Sequence, residues 1–543
     1  MIKEEIVKIL QKVTGIKDIV LDVPGREEFG DYSTNAAMVL AKKEHKNPHE
    51  LAEEIVEKIN KAGLPAVASA KAGFINFYLS KEVLLKNLEK VDEKYGSSDI
   101  GKTVVIDYSS PNIAKAFGVG HLRSTIIGQA LYNLYQFLGY KTIGDNHLGD
   151  WGTQFGMIIA AVKSNKLDIN KLSVDELEKI YVDYNKQTKE DPKLRDVAKE
   201  WFKKLEEGDK EAKYIWQKAK DTSLAEFQRV YDLLGVNIDY AYGESFYLDK
   251  MDAVVKEARK KGLARKSEGA EIVEFDNLPP AMLVKSDGAT TYFTRDLTTI
   301  KFRMETWKPD IYIYEVGSEQ SFYFKQLFSA VRLFGWIKDE KLVHIGHGLF
   351  LYNGKKMSTR KGGSIKLEEV LKEAIKRAGK LGEEGNKTAA AVGIGAIKYY
   401  DLLHHPTSNI NFDWEKVFVL EGNSGPYLQY TVARVNSVLA KSTFKGPTLQ
   451  GRTLQGSFNR EELTILRSLV HFPEVIQEAA QSFAPNLLCN YLYDLASKFN
   501  TFYNRHKIIK GENDEFRLVL TAAVGQTLKT GLNLLGIQTP ERM

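Results

Sequence analysis

The segment at residues 109–125, SSPNIAKAFGVGHLRST, constrains the fold of this chain more than any other. It follows an apolar run at residues 103–106 and opens a stretch with helical apolar spacing. The apolar positions of that stretch are Leu122, Ile126, Ile127, Ala130, Leu134 and Leu138. The pattern predicts a strand, a glycine-rich loop and a helix N-terminus. Gly118 and Gly120 would let the backbone approach a phosphate, to which the helix start offers unpaired N–H groups.

A second segment, NGKKMSTRKGG at residues 353–363, predicts a mobile cationic loop. Lys356, Arg360 and Lys361 flank small hydroxyl residues and glycines. Such a loop can close over a triphosphate and neutralise charge as pyrophosphate leaves. The two segments together predict two halves of one ATP site, in which His121 donates to a ribose or phosphate oxygen.

At these residues the chain resembles the class I aminoacyl-tRNA synthetases, and among them the arginyl-tRNA synthetases. GVGH at residues 118–121 stands where the family has its HIGH signature, and KMSTR at residues 356–360 stands where it has KMSKS. DNHLGDWGTQFG at residues 145–156 is similar to a motif of the arginine enzymes. GNSGPYLQYTVAR at residues 422–434 and LLGIQTPERM at residues 534–543 match the tRNA-binding end of that family. The resemblance covers nearly the whole chain.

The resemblance implies an α/β fold with three parts. These are a small α/β N-terminal domain, a Rossmann-like class I catalytic domain with a helical insertion, and an all-α C-terminal anticodon-binding bundle. Alternating apolar strands and helices between residues 100 and 365 independently favour a parallel α/β sheet. We expect the domains at residues 1–85, 100–365 and 366–543, with the charged helical insertion at about residues 160–240.

The activity implied by the resemblance is that of an arginine–tRNA ligase. Such an enzyme activates L-arginine with ATP to arginyl-adenylate and transfers it to the 3′-terminal adenosine of tRNA(Arg), using magnesium with the ATP and no zinc. The implied catalytic residues are Lys115, Gly120, His121, Lys356 and Lys361. The implied ATP contacts are Gly118, Gly120, His121, Lys356, Met357 and Ser358.

The chemistry of a guanidinium calls for a buried carboxylate in bidentate geometry, which distinguishes it from the point charge of lysine. Asp296 is the candidate, because Tyr292 lies one helical turn before it and would face the same ligand. A surface ion pair with Arg295 or Lys301 is the alternative role for Asp296. The resemblance implies the arginine-binding residues Ser110, Asn112, His121, Tyr292, Asp296 and Gln320.

The segment at residues 425–439 has an apolar helical stripe on one face and aromatic and basic residues on another. Tyr427, Tyr430 and Arg434 on the second face could stack on and clamp unpaired anticodon bases. Packing of the tyrosines between helices is an equally good interpretation of each residue alone. The resemblance places anticodon binding in this part of the chain.

The literal string HIGH also occurs, at residues 344–347, but its context differs from that of the nucleotide motif. An apolar strand and turn, GLFLYNG, follow it, so that it lacks the helix N-terminus that binds an anion. We therefore predict a structural role in a strand for His344 and His347.

The chain departs from the family's patterns at four positions. Gly118 replaces the first histidine of HIGH, Ala116 replaces the usual proline, Thr359 stands where KMSKS has its second lysine, and Tyr323 stands where a histidine is common. Lys115 remains near the first motif. The departures leave open two alternatives: a catalytically impaired paralogue that acts as a tRNA-binding regulatory protein, and a class I synthetase for another amino acid.

Other nucleotide-binding classes fit less well. Arg123 occupies the position where a dinucleotide-binding fingerprint needs its third small residue, and no GxxxxGK[ST] motif accompanies either glycine loop. Dehydrogenase and P-loop functions are therefore disfavoured.

The composition is that of a large globular enzyme. Its formal charge of +5 over 543 residues is nearly balanced, so that contact with RNA would depend on local basic patches. The single cysteine, Cys489, excludes a disulfide framework and fits a reducing compartment. The longest run of small apolar residues, at 389–397, is too short to span a bilayer. We expect a cytoplasmic protein, and a monomer.

Overall fold

The computed structural model of the chain describes residues 2–64, 66–352, 354–356, 366–380, 385–442, 458–511 and 513–543, without the side chains of Lys355 and Lys356. The helices are α1 (Ile2–Thr14), α2 (Ala36–Glu44), α3 (Pro48–Lys61), α4 (Lys81–Leu88), α5 (Leu122–Phe137), α6 (Thr153–Ser164), α7 (Val174–Glu190), α8 (Lys193–Glu207), α9 (Lys210–Leu234), α10 (Met251–Lys260), α11 (Tyr292–Trp307), α12 (Ser321–Leu333), α13 (Leu367–Ala378), α14 (Asn386–Leu402), α15 (Trp414–Val417), α16 (Gly425–Ala440), α17 (Arg460–Val470), α18 (Phe472–Gln481), α19 (Asn486–Arg505) and α20 (Asp514–Leu534). The strands are β1 (Tyr32–Thr34), β2 (Ala66–Lys71), β3 (Phe74–Leu79), β4 (Thr103–Asp107), β5 (Lys141–Asp145), β6 (Arg265–Ser267), β7 (Ala270–Val273), β8 (Ala281–Val284), β9 (Ile311–Gly317), β10 (Lys341–His347), β11 (Phe350–Tyr352), β12 (Lys355–Lys356) and β13 (Ile410–Phe412).

The contacts between residues divide the chain into two compact units. The first unit comprises Met1–Gly96, Arg434–Val475 and Asp494–Thr530. The second unit comprises Ser97–Ala433, Ile476–Tyr493 and Gly531–Met543.

The first unit contains an antiparallel sheet in the order β1-β3-β2. A tight turn joins β2 to β3, and both of its residues, Ala72 and Gly73, have positive φ angles of 53° and 79°. Helix α3 packs on β2. It begins where the Asn47 side chain accepts from the His49 N–H, with Pro48 in the first turn, because these residues satisfy or remove unpaired N–H groups.

The second unit is built on a parallel sheet in the order β10-β9-β4-β5. Val104, Val105 and Ile106 of β4 are at most 1% exposed, as expected for a strand covered on both faces. Helix α5 connects β4 to the parallel strand β5. The strand, loop and helix predicted from residues 103–138 are confirmed, and so is the predicted α/β class.

Three long helices, α7 to α9, form the charged insertion between β5 and β6. Ser173 and Glu176 close a capping box at the start of α7. Helix α9 begins at the Asp209 cap and ends at Gly235, whose φ of 62° allows the left-handed turn that stops it. The predicted helical insertion is therefore present.

The helical pattern predicted after residue 365 is interrupted once in the described residues. Strand β13 pairs in parallel with β11, which also pairs with β12, and so forms a second small sheet in the second unit. Cys489 of α19 is fully buried in the core and is not in a disulfide.

Candidate active site

The loop that follows β4 has an unusual backbone. Ser109 and Ser110 have φ angles of 75° and 44°, which non-glycine residues seldom adopt and which often mark functional sites. The Ser109 N–H donates to the Ser124 hydroxyl of α5 at 2.9 Å. The Ser110 N–H donates to the Asn146 side chain at 2.9 Å, and its hydroxyl donates to Asp107 at 3.0 Å. The loop is thus held in place at the carboxyl edge of the sheet.

The glycine-rich segment leads into α5 through a short 3₁₀ helix, Val119–His121. The Gly118 N–H donates to Nδ1 of His121 at 3.3 Å, so that the ring carries its proton on Nε2 and can donate from there. Burial, reinforced by the charge of Lys115, lowers the pKa of His121 to about 4. A side chain at Gly120 would meet no atom of the described residues within 4 Å, which leaves space there for a ligand. His121 is thus a neutral group that can donate from Nε2 beside the open backbone at Gly120.

A cavity of about 480 Å³ opens at the carboxyl ends of β4 and β9. Four of the residues predicted for the arginine site line it, namely Ser110, Tyr292, Asp296 and Gln320. Tyr292 is the first residue of α11 and is 64% exposed. Gln320 ends the short 3₁₀ helix that follows β9. Residues from separate parts of the sequence therefore converge on one site.

The Asp296 carboxylate lies inside this cavity with one oxygen engaged. The Tyr323 hydroxyl donates to Oδ2 of Asp296. Burial raises the pKa of Asp296 to about 7, against the lowering effect of that hydrogen bond. The alternative surface pairs are absent among the described residues, because Arg295 pairs with Glu244 at 2.9 Å and Lys301 pairs with Glu257 at 2.6 Å.

A buried arginine fixes the helix that carries Asp296. Arg303, in the last part of α11, is 1% exposed and contacts Asp107 and Asp145, each at 2.7 Å. These aspartates end the neighbouring strands β4 and β5. The ion pairs therefore set the position of α11 against the carboxyl edge of the sheet.

The cavity also contains residues to which the sequence analysis gave no role, among them His147, Glu244 and Tyr323. His147 and Glu244 line the cavity, and Tyr323 holds Asp296. His147 belongs to the motif DNHLGDWGTQFG, which was recognised without a role for its members. Glu244 lies in a segment without any pattern. Tyr323 was noted only as a departure from the family.

The other residues of that motif anchor the insertion to the sheet. Asp150 is fully buried and accepts from the Lys220 ammonium of α9 at 2.6 Å and from the Ser245 hydroxyl at 2.7 Å. The Trp216 indole of α9 donates to the Asp150 carbonyl oxygen at 2.8 Å. The motif thus joins the cavity wall to the helical insertion.

Two of the six residues predicted for the arginine site, Asn112 and His121, are not among those lining the cavity, and neither is Lys115. Asn112 is exposed and adjoins Gly149, at which a side chain would come within 2.1 Å of the Asn112 side-chain oxygen. The Lys115 ammonium lies 5.7 Å from the centre of the Tyr181 ring of the insertion. Met357, Ser358, Lys361 and the side chain of Lys356 lie outside the described residues. The backbone of Lys356 pairs with Leu351 in β11.

The literal HIGH string forms the end of β10, as predicted. His344 stacks on Phe324 with ring centroids 4.4 Å apart, and its Nε2 contacts the Val316 carbonyl oxygen at 3.1 Å. His347 pairs with the fully buried Glu315 at 3.0 Å. Burial alone would lower the pKa of His347, but the Glu315 carboxylate outweighs it and raises that pKa. Both histidines are therefore occupied by contacts within the fold.

The three residues predicted for anticodon contact have partners in the protein. Tyr427 packs against Tyr493 with ring centroids 5.7 Å apart. The Arg434 guanidinium donates to Asn500 and lies 4.8 Å from the centre of the Tyr503 ring. Tyr430 is 39% exposed.

A groove of about 530 Å³ on the sheet of the first unit has an aromatic and basic lining. Phe74 is 42% exposed there, beside Asn76. The Lys71 ammonium lies 4.7 Å from the centre of the Phe29 ring. Aromatic faces with a neighbouring cation suit stacking of nucleic-acid bases.

No group of three or more histidine, cysteine, aspartate or glutamate side chains in the described part of the chain could hold a metal ion. None of the helices described is long and apolar enough to cross a membrane.

Comparison with known proteins accounts for the chain from end to end. Residues 83–414 match the catalytic-domain model of class I tRNA synthetases of the arginine type. Residues 1–79 match the N-terminal domain model of arginyl-tRNA synthetases, and residues 428–543 match the DALR anticodon-binding domain model.

Individual proteins agree with the domain models. An arginine–tRNA ligase of Streptococcus pneumoniae (strain Taiwan19F-14) is 42% identical, over 96% of both chains. The arginyl-tRNA synthetase structure of Plasmodium falciparum has a TM-score of 0.87 and 27% identity, over 100% of this chain and 99% of that chain. The Thermus thermophilus arginyl-tRNA synthetase structure has the same fold, with a TM-score of 0.85 and 24% identity over 100% of both chains. This chain therefore belongs to the arginyl-tRNA synthetases, a family of class I aminoacyl-tRNA synthetases.

Proposed function

We propose that this arginine–tRNA ligase works in two steps. In the first, an oxygen of the arginine carboxylate attacks the α-phosphorus of ATP, which forms arginyl-adenylate and releases pyrophosphate. In the second, the 2′- or 3′-hydroxyl of the terminal tRNA adenosine attacks the carbonyl carbon, and AMP leaves. The observation that carries the proposal is the cavity at the carboxyl edge of the sheet, in which Asp296 presents a carboxylate suited to a guanidinium.

The side chain of arginine would enter this cavity. Asp296 would bind the guanidinium through its Oδ1, since Tyr323 already donates to Oδ2. Tyr292 and Gln320, which both line the cavity, would close over the aliphatic part of the ligand. The partly buried Glu244 would add negative potential to the cavity through its carboxylate, although Arg295 offsets part of it.

The α-amino and α-carboxylate groups would lie at the mouth of the cavity. Ser110 lines that mouth, and Asn112 follows in the same loop. His121 would donate from Nε2 to the carboxylate or to a phosphate oxygen beside it. This placement brings the carboxylate nucleophile next to the segment that binds ATP, so that positioning and electrostatics supply the catalysis.

Magnesium–ATP would bind between the two predicted segments. Gly118 and Gly120 would approach the nucleotide with their backbone, and Lys115 would supply positive charge from the loop before α5. From the second segment, Lys356, Met357, Ser358 and Lys361 would cover the triphosphate. The magnesium ion arrives with ATP as part of the substrate.

tRNA(Arg) would contact three regions of the chain. Residues 1–85 would bind its elbow, residues 100–365 would hold the acceptor end, and residues 366–543 would read the anticodon, with contacts from Tyr427, Tyr430 and Arg434. The groove with Phe29, Lys71, Phe74 and Asn76 supports a stacking contact for residues 1–85.

The single unpaired cysteine and the role in translation support a cytoplasmic protein, which we propose acts as a monomer.

No observation favours the alternative of a tRNA-binding regulatory protein. The replacement of the first motif histidine by Gly118 leaves His121 held by a backbone N–H. The cavity retains Tyr292, Asp296 and Gln320, which also argues against a different amino acid. These features support a working ligase.

Aminoacylation of total tRNA with each of the twenty amino acids tests this function. We expect the wild-type protein to charge tRNA with arginine alone, and ATP–pyrophosphate exchange, run with and without tRNA, to depend on arginine. Tight binding of tRNA without charging by any amino acid would support the regulatory paralogue instead. Preferred charging by another amino acid would contradict the assignment of the cavity.

A further inference from the structure

The ring of His147 is buried in the cavity wall with its hydrogen-bonding capacity unused. Both ring nitrogens are buried, and neither has a hydrogen-bond partner among the described residues. Nε2 of His147 lies 3.8 Å from Oδ1 of Asp296, which is too far for a hydrogen bond. A buried polar group without a partner costs free energy, so its retention at a ligand cavity indicates a partner supplied by the ligand.

The neighbours of His147 hold it in this position. On one side, the Asn146 side chain accepts from the Ser110 N–H at 2.9 Å and donates to the Tyr231 hydroxyl at 3.0 Å. On the other side, Asp150 is held by Lys220 of the insertion at 2.6 Å. The backbone is thus fixed on both sides of the ring, which lines the cavity.

Asp296 is oriented so that its less occupied oxygen faces the same space. Tyr323 donates to Oδ2, which leaves Oδ1 towards His147. A planar guanidinium carries five N–H donors in a rigid fork and can reach two acceptors side by side. We propose that His147 is a further specificity-determining residue, whose Nε2 accepts an N–H of the arginine guanidinium beside the Asp296 carboxylate. This inference rests on the proposed placement of arginine in the cavity.

The surroundings keep the imidazole in the form that can accept. Burial lowers the pKa of His147 to about 4, opposed by the Asp107 and Asp150 carboxylates and assisted by the nearby Arg303 and Arg295 guanidinium groups. A neutral imidazole has one nitrogen with a free lone pair, and it does not repel a cation. His147 therefore adds a directional acceptor to the cavity without adding charge.

The two adjacent acceptors, on His147 and Asp296, would disfavour binding of citrulline, the neutral isostere of arginine. In citrulline an oxygen replaces one terminal NH₂ group of the guanidinium. If the two terminal nitrogens of the guanidinium face the two acceptors, the oxygen that replaces one of them in citrulline lies opposite either His147 or Asp296, and an acceptor is left opposite an acceptor. A site built to bind N–H groups discriminates strongly against such an analogue, because its own buried polar atoms stay unpaired.

The test compares two variants with different side chains at this position. His147→Leu removes the acceptor, whereas His147→Gln keeps one. We expect His147→Leu to raise the arginine KM about 10- to 100-fold, with kcat and the ATP KM nearly unchanged, because a contact common to ground and transition state is lost. The preference for arginine over citrulline should fall in parallel, and His147→Gln should restore most of both.

An unchanged arginine KM in His147→Leu, or equal losses in both variants, would overturn the inference. If the leucine variant does not fold, wild-type protein with ¹⁵N-labelled histidine decides the question. Addition of arginine must then shift a ring nitrogen signal that is missing from His147→Gln, and the absence of such a shift contradicts the proposal.

The arginine KM of Asp296→Asn is measured in the same assay. If the arginine KM rises in Asp296→Asn but not in His147→Leu, only this inference is refuted. If the wild-type protein fails to use arginine, the proposed function is refuted.

Discussion

At the scale of single residues, the Asp296 carboxyl group is under two opposed influences. Burial raises its pKa to about 7, while the hydrogen bond from Tyr323 favours the ionised form. At neutral pH the empty cavity thus holds a substantial fraction of protonated Asp296. A guanidinium binds to the carboxylate, so binding of arginine must displace that proton.

We therefore predict that the affinity for arginine depends on pH through Asp296. As the pH falls below about 7, protonation of the empty site competes with the cation, and the apparent arginine Kd should rise by up to about tenfold per pH unit. Above pH 7 the Kd should level off. Calorimetric titration of the protein with arginine between pH 5.5 and 8.5 measures this profile.

Asp296→Asn is the control for the pH profile, since asparagine does not titrate. Its arginine affinity should be weak and nearly independent of pH over the same range. A flat profile in the wild type would mean that Asp296 is already ionised in the empty cavity.

At the scale of helices and strands, the periodicity of apolar residues and the positions of glycines predicted the first elements of the site. Strand β4 and helix α5 were expected from an apolar run and from helical spacing. Asp296 was assigned from the chemistry of a guanidinium together with the family resemblance, and Gln320 from that resemblance alone. Strand β13 was not predicted, because three residues are too short to show a period. His147 and Tyr323 gain their roles from contacts across the fold, which no local pattern encodes.

The difference between a helix start and a strand end leads to a prediction for the two HIGH-like segments. His121→Ala should reduce the rate of adenylate formation about 10²-fold or more, because it removes a donor near the reacting phosphate. His347→Ala should change that rate far less. It should instead lower the melting temperature, since the buried Glu315 carboxylate loses its partner.

Single-turnover rates and thermal melts of both variants check this assignment. A folded His347→Ala protein with the larger loss in rate would show that the ATP-binding motif has been placed on the wrong segment.

At the scale of the whole molecule, we propose that the substrates bind to separate parts of the chain. The cavity for arginine is lined entirely by residues of the second unit, within Ser97–Ala433. The groove that contains Phe74 belongs to the first unit. The family models likewise match three successive regions. Changes in one region should therefore alter the KM of one substrate at a time. Phe74→Ala, for instance, should raise the KM for tRNA and leave that for arginine unchanged.

The most direct test of the account is the arginine dependence of Asp296→Asn in aminoacylation at pH 8. We predict that the arginine KM rises at least about 100-fold, as expected when one partner of a buried charge pair is lost, while the KM values for ATP and tRNA stay within about twofold of the wild type. An unchanged arginine KM in a folded Asp296→Asn protein would contradict the central claim that this carboxylate binds the guanidinium.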